Sequence, residues 1–291
     1  MIDRISIADL QSYQDAAIHQ LKGGREMLNV EMNSQYWDGD YDWSGAGEEW
    51  SAMWGGSRAQ WLGSLYPRIA AFLPVRSVLE IAPGFGRWTR FLLAACDSYQ
   101  GVDLSQECID ACKSRFVRVE KATFFKNDGK SLSCSDDGSI DFLFSFDSLV
   151  HASIDVLECY IPQILLKLSR TGVAFIHHSN WLEVGGVLPN DHGRATDVSG
   201  QAVIDLIESS GGKTLIQEKI NWGFGECTDC LTLFCRRDAY AGFNSVAIEN
   251  HDFMNEGNYI RKFQSPYSDL ASFSRASLEG SGSQRASNRK A

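Results

Sequence analysis

No apolar run in the 291 residues reaches the roughly 18 to 20 positions needed to cross a bilayer, and Met1-Ile2-Asp3-Arg4 does not open a signal peptide. A cytoplasmic chain without a transmembrane segment is the expectation. Lys/Arg-rich runs are missing before the extreme C-terminus, and the formal net charge is −10. Phosphate backbones need a concentrated cationic surface, so nucleic acid is not an expected partner. No internal repeat is visible. The eight cysteines mostly fall inside predicted helices and strands, as Cys108, Cys112 and Cys235 do, and read as reduced core residues. Cys227 and Cys230 have CxxC spacing, but no second CxxC or CxxH lies near them and residues 228–235 read as a buried strand, so no metal site is expected.

What is present is the composition of an ordinary folded protein, 44% hydrophobic and 22% charged, enough for one sizeable α/β core with additions. From Ser77 onward, short β-branched or apolar runs alternate with amphipathic stretches, the pattern of a parallel sheet with crossover helices. Strands are predicted at 77–81, 99–103, 123–126, 140–145, 172–177, 213–220 and 228–235. A helix is predicted over 106–116 with Ser105 as its N-cap. Only seven residues separate the last two strands, too few for a crossover helix, so those two must form an antiparallel hairpin. The fold class is therefore a Rossmann-like, seven-stranded, mostly parallel sheet with its last strand antiparallel.

Around this domain, taken as 67–237, lie three additions. Residues 1–66 form a helical, Trp-rich extension with Trp37, Trp43, Trp50, Trp54 and Trp61, for which a lid, a homodimer contact and plain packing are all open. Residues 238–273 read as a helical segment, and the Ser/Gly/Arg/Lys-rich residues 274–291 as a disordered tail.

Leu79-Glu80-Ile81-Ala82-Pro83-Gly84-Phe85-Gly86-Arg87-Trp88-Thr89 runs from a strand through a Gly-bearing turn into a helix, which aims backbone N–H groups at whatever binds there. A dinucleotide fold wants a third glycine where Thr89 stands. The segment resembles the first motif of class I S-adenosylmethionine (SAM)-dependent methyltransferases, an acidic residue before a Gly-rich turn, with Ala82 and Pro83 as departures. This resemblance implies SAM as cofactor. It places the methionine part at the turn (Glu80, Ala82, Gly84, Gly86, Trp88), the ribose on Asp103 beside Leu104, and the adenine near Asp128 and Gly129; Ser145 is a further candidate cofactor contact.

Strand four ends in Ser145-Phe146-Asp147-Ser148-Leu149-Val150-His151 and strand five in His177-His178-Ser179-Asn180. Active sites of open α/β sheets lie beyond such strand ends. A hydroxyl acceptor needs its proton removed, and imidazole is the natural base. His151 is the first candidate, with Asp147 four residues earlier to orient it or to hold a metal, and His178 the second. His177, Asn180 and Arg194 are candidate acceptor contacts, Arg194 through a bidentate grip on a carboxylate or phosphate. The same segments resemble bacterial methyltransferases that modify sugars of surface polysaccharides. That likeness implies O-methylation of a saccharide or other small hydroxylated acceptor; N- or C-methylation, or an inactive SAM-binding partner subunit, are the alternatives.

Overall fold

A computed structural model describes residues 30–184, 190, 193–223, 225–265 and 267. Apolar and β-branched runs supply most of one sheet, formed by β1 (Val75–Ile81), β2 (Cys96–Asp103), β3 (Ala122–Lys126), β4 (Ile140–Ser145), β5 (Leu168–Ser179), β6 (Gly212–Trp222), β7 (Gly225–Arg236) and β8 (Val246–Asn250). Their order is β3-β2-β1-β4-β5-β7-β6-β8. The first five strands are parallel, β7 is antiparallel to both β5 and β6, and β8 runs parallel to β6.

The sheet thus has eight strands rather than the expected seven. β8 lies in the stretch read as helical, and most of its residues are exposed. Ladder hydrogen bonds to β6, not a buried face, hold it, so it carries no alternating burial pattern for the sequence to display. A helix does follow, over Phe253–Phe263.

The labelled helices are α1 (Val30–Gln35), α2 (Thr89–Leu93), α3 (Gln106–Arg115), α4 (Ile154–Lys167), α5 (Gly200–Ser209) and α6 (Phe253–Phe263). Ser105 caps α3 as its sequence suggests, its hydroxyl accepting from the Cys108 N–H at 3.1 Å. Successive strand residues feed two cores. Val78, Phe142, Phe144 and Phe175 face a layer containing Trp54, Trp61 and Phe253. Leu79, Leu143, Ala174 and Ile176 face α4 and α5 through Leu157, Ile161 and Val203.

The Trp-rich segment is divided in its task. Trp54 and Trp61 are buried in the first core, Trp61 stacking on Phe91 with centroids 5.2 Å apart. Arg68 ties this layer to the sheet, donating to Glu218 of β6 at 2.7 Å and to Glu256 of α6 at 2.7 and 3.0 Å. Residues 1–29 of the expected extension and the expected tail at 274–291 lie outside the described residues. Among the described residues no helix is long and apolar enough to cross a membrane.

Candidate active site

Strand order reverses between β1 and β4, and a cavity opens there beyond the C-terminal strand ends. Its floor is the turn after β1. Ala82 and Gly84 adopt φ of 55° and 56°. For an alanine this left-handed conformation costs roughly 1 kcal/mol, and two bonds offset it: the Ala82 N–H donates to the Val102 carbonyl at 2.7 Å, and its own carbonyl accepts from the Ser148 hydroxyl at 3.1 Å. Ala82, Pro83, Gly84 and Trp88 line the cavity.

Glu80 and Gly86 do not. The Glu80 carboxylate is buried beneath the turn, accepting from the Tyr99 hydroxyl and from the Thr89 hydroxyl at 2.7 Å; burial pushes its pKa up to about 7. Thr89, at the third-glycine position of dinucleotide folds, is thus the hydroxyl that satisfies Glu80. Gly86 allows close packing, since a Cβ there would lie 2.6 Å from the Phe116 ring.

Asp103, Leu104 and Gly129 form the next wall. The Asp103 oxygens accept from the Ser105 N–H at 2.9 Å and the Gly84 N–H at 3.1 Å, and burial pushes the pKa to about 6. Each oxygen retains acceptor capacity for a ribose hydroxyl. Asp128 is off this wall, because its carboxylate accepts from the Lys130 and Ser131 N–H groups and shapes the turn that presents Gly129. Ser145 is also off it, its hydroxyl donating to the Ile81 carbonyl at 3.1 Å and binding β4 to β1.

Asp147, His151 and Arg194 line the same cavity. His151 is buried, and its Nδ1 lies 2.8 Å from the Gly193 carbonyl, which can only accept. The proton therefore sits on Nδ1 and Nε2 keeps its lone pair, with no partner among the described residues. Burial first, then the Arg194 charge, lowers the pKa to about 4, so the ring is neutral.

Among the described residues, no hydrogen bond joins the Asp147 carboxylate to the His151 ring, in contrast to the direct orienting contact expected. Asp147 adopts φ of 63° ahead of the short helical turn Leu149–His151, and its carboxylate takes the Arg87 guanidinium at 2.8 Å. Arg87 lines the cavity and was not singled out from the sequence, although it follows the Gly turn directly.

The strand-five cluster is placed differently from the expectation, for reasons of alternation. His177 and His178 are fully buried on opposite faces of β5, and neither reaches the cavity wall. The two ring nitrogens of His178 are engaged by the Ser179 carbonyl and the Thr232 hydroxyl, each at 2.8 Å, and burial lowers its pKa to about 4; it is not placed to act as a base. Asn180 holds backbone, accepting from the Gly200 N–H and donating to the Cys227 carbonyl. Arg194 reaches the wall, but its fork already grips Asp229, at 3.1 and 2.8 Å. Asp229 stands inside the CxxC spacing, and no feature of the sequence marked it. Burial alone would raise its pKa, but Arg194 and His177 outweigh burial and hold the carboxyl well below the usual range.

The remaining wall comes from the N-terminal segment, with Asn33, Trp37, Trp43 and Trp50. Trp43 stacks on Phe85 with centroids 4.6 Å apart and planes 5° from parallel. Asn33 donates to the His151 carbonyl at 3.1 Å and accepts from the Trp37 indole at 3.2 Å, while the Trp37 and His151 rings lie 5.5 Å apart.

This wall fits SAM: the glycine-bearing turn after β1 abuts a buried carboxylate at the end of β2, and aromatic rings line the same cavity. Residues 78–172 match the family model described as a methyltransferase domain. No match was found among curated proteins. Solved structures similar to the chain include a protein from Pyrococcus horikoshii, at 20% identity over 62% of this chain and 90% of that one with a TM-score of 0.50. Another is the magnesium protoporphyrin IX methyltransferase of Synechocystis with bound SAH, at 15% identity over 72% of this chain and 100% of that one with a TM-score of 0.52. At such identities the likenesses establish the fold alone; the matched family model describes residues 78–172 as a methyltransferase domain, and S-adenosyl-L-methionine is the cofactor that this match indicates.

Proposed function

We propose that this enzyme methylates a hydroxyl of a saccharide, or of another uncharged polyhydroxylated small molecule, with His151 as general base. The observation that carries this reading is the state of His151: neutral, on the cavity wall, with Nδ1 committed to Gly193 and Nε2 left as an acceptor. When bound, SAM supplies an electrophilic methyl carbon and a thioether leaving group. A sugar hydroxyl is too weakly acidic to ionise at neutral pH, so its proton must leave as its oxygen closes on the methyl carbon. His151 Nε2 receives that proton, and the Gly193 carbonyl steadies the imidazolium through Nδ1–H.

Two features support an uncharged acceptor. Trp37, Trp43 and Trp50 line the cavity, and indole rings are suited to contact the apolar faces of a sugar. Arg87 and Arg194 are each matched by a carboxylate, Asp147 and Asp229, so neither guanidinium favours an anionic acceptor.

The test is SAH release from SAM over a panel of saccharides, polyols and amines, with wild type and His151→Ala. Methylation of a hydroxyl that falls roughly 10²-fold or more in the variant, with SAH binding retained, is the expected result. Methylation of amines alone, or full turnover in His151→Ala, would sink the reading; an acceptor nitrogen that is already neutral needs no base.

A further inference from the structure

His177 and Asp229 are fully buried polar residues that no part of the methyl-transfer chemistry touches, yet they join two sides of the cavity. The Asp147 N–H donates to His177 Nδ1 at 3.1 Å. Because Nδ1 accepts, the His177 proton is on Nε2, which donates to Asp229 Oδ2 at 3.0 Å. Asp229 receives the Arg194 fork, and the residue before Arg194 is Gly193, whose carbonyl fixes His151 Nδ1. The Ala195 N–H donates to the Val150 carbonyl at 2.8 Å, joining the same two segments again.

The path from Asp147 through His177, Asp229, Arg194 and Gly193 to His151 is therefore a closed circuit, since Asp147 and His151 are four residues apart in the chain. One end holds the left-handed turn that launches the His151 segment, and the other holds the carbonyl that selects its tautomer. A left-handed aspartate persists only where its surroundings over-determine it. Here its N–H is held by His177 and its carboxylate by Arg87.

We propose that His177 and Asp229 are positioning residues, which fix the ring orientation and tautomer of His151 from behind the cavity. The proposal rests on the reading of His151 as the base, but its test does not need the acceptor.

Nitrogen-15 NMR of histidine-labelled full-length protein reads the tautomers directly, with His151→Ala assigning the His151 signals. Wild type is expected to show His151 as a single Nδ1–H tautomer and His177 as Nε2–H. In His177→Leu the His151 signals should lose that single state and average between tautomers. In His177→Asn, whose Oδ1 can accept from the Asp147 N–H in place of Nδ1, the single tautomer should survive. A single unchanged tautomer in His177→Leu overturns the proposal. Should that variant not fold, as judged by melting and by SAH binding, the wild-type spectrum decides: a proton on His177 Nδ1 or on His151 Nε2 overturns it equally. Full turnover in His151→Ala would instead remove the base reading and leave the tautomer result standing.

Discussion

Asp38 Oδ1 lies 2.8 Å from the Ser105 hydroxyl and 3.0 Å from the Glu107 N–H, so a residue of the aromatic segment caps α3 from 67 positions away along the chain. Capping of this kind is worth about 1 kcal/mol. Asp38→Ala should therefore lower the melting temperature by a few degrees and speed limited proteolysis within residues 30–56. A proteolysis rate equal to wild type would mean that Trp43 on Phe85 and the Trp37 contacts hold the segment alone.

The two turn glycines should fail in different ways. A Cβ on Gly84, at φ of 56°, would lie 3.0 Å from the Trp43 ring; Gly84→Ala should weaken SAH binding roughly tenfold while leaving the fold intact. Gly86, at φ of 81°, faces Phe116 away from the cavity, and Gly86→Ala should cost stability, on the order of 1–3 kcal/mol. Calorimetric titration with SAH, paired with melting curves, separates the two. Equal binding by Gly84→Ala and wild type would refute the close approach at that wall.

Asp103→Ala removes a charged acceptor from the cavity wall, where the expected role is to hold a ribose, and also frees the Gly84 and Ser105 N–H groups. Titration should show SAH affinity falling by roughly 10–100-fold, as for loss of a charged hydrogen bond. NADH is the control and should bind neither protein. A preference for NADH would contradict the role of Thr89 at the third-glycine position.

The buried groups set opposing pH dependences. His151 and His178 stay neutral in the folded chain down to a pH of about 4, but take up a proton near 6.5 once unfolded. The stability each contributes is complete above 6.5 and is lost as pH falls toward 4. Glu80 runs the other way: unfolded it ionises near 4.5, folded at about 7, so its contribution is present below 4.5 and lost as pH rises through 7. Glu80→Gln keeps polar groups for Thr89 and Tyr99 but removes the titration. Its melting temperature should rise with pH between about 5 and about 7 more steeply than that of wild type, the difference being on the order of 1 kcal/mol per pKa unit. Parallel curves would show that Glu80 is ionised in the folded protein at acid pH.

How far the sequence revealed this molecule follows from what each signal encodes. The strands that are buried on both faces announce themselves as apolar runs, and Ser105 announces α3, because these are local properties. β8 does not, since its ladder is set by register against β6 and most of its side chains face solvent. At the site, Asp103 and Gly84 were legible from spacing along one strand–turn–helix unit. His177, His178 and Asn180 were recognisable as a polar cluster, but none of them lines the cavity, because each is engaged by buried partners distant in sequence that no local pattern reveals. Arg87, Asn33 and Asp229 depended on partners far away in sequence, and no local pattern foretells a buried ion pair.

Four of the eight tryptophans, Trp37, Trp43, Trp50 and Trp88, border the cavity proposed above to hold cofactor and acceptor. The protein consequently carries its own optical reporter. Ligands entering that space change the surroundings of half its indoles at once, so intrinsic fluorescence can follow cofactor and acceptor binding without a label, on unmodified protein.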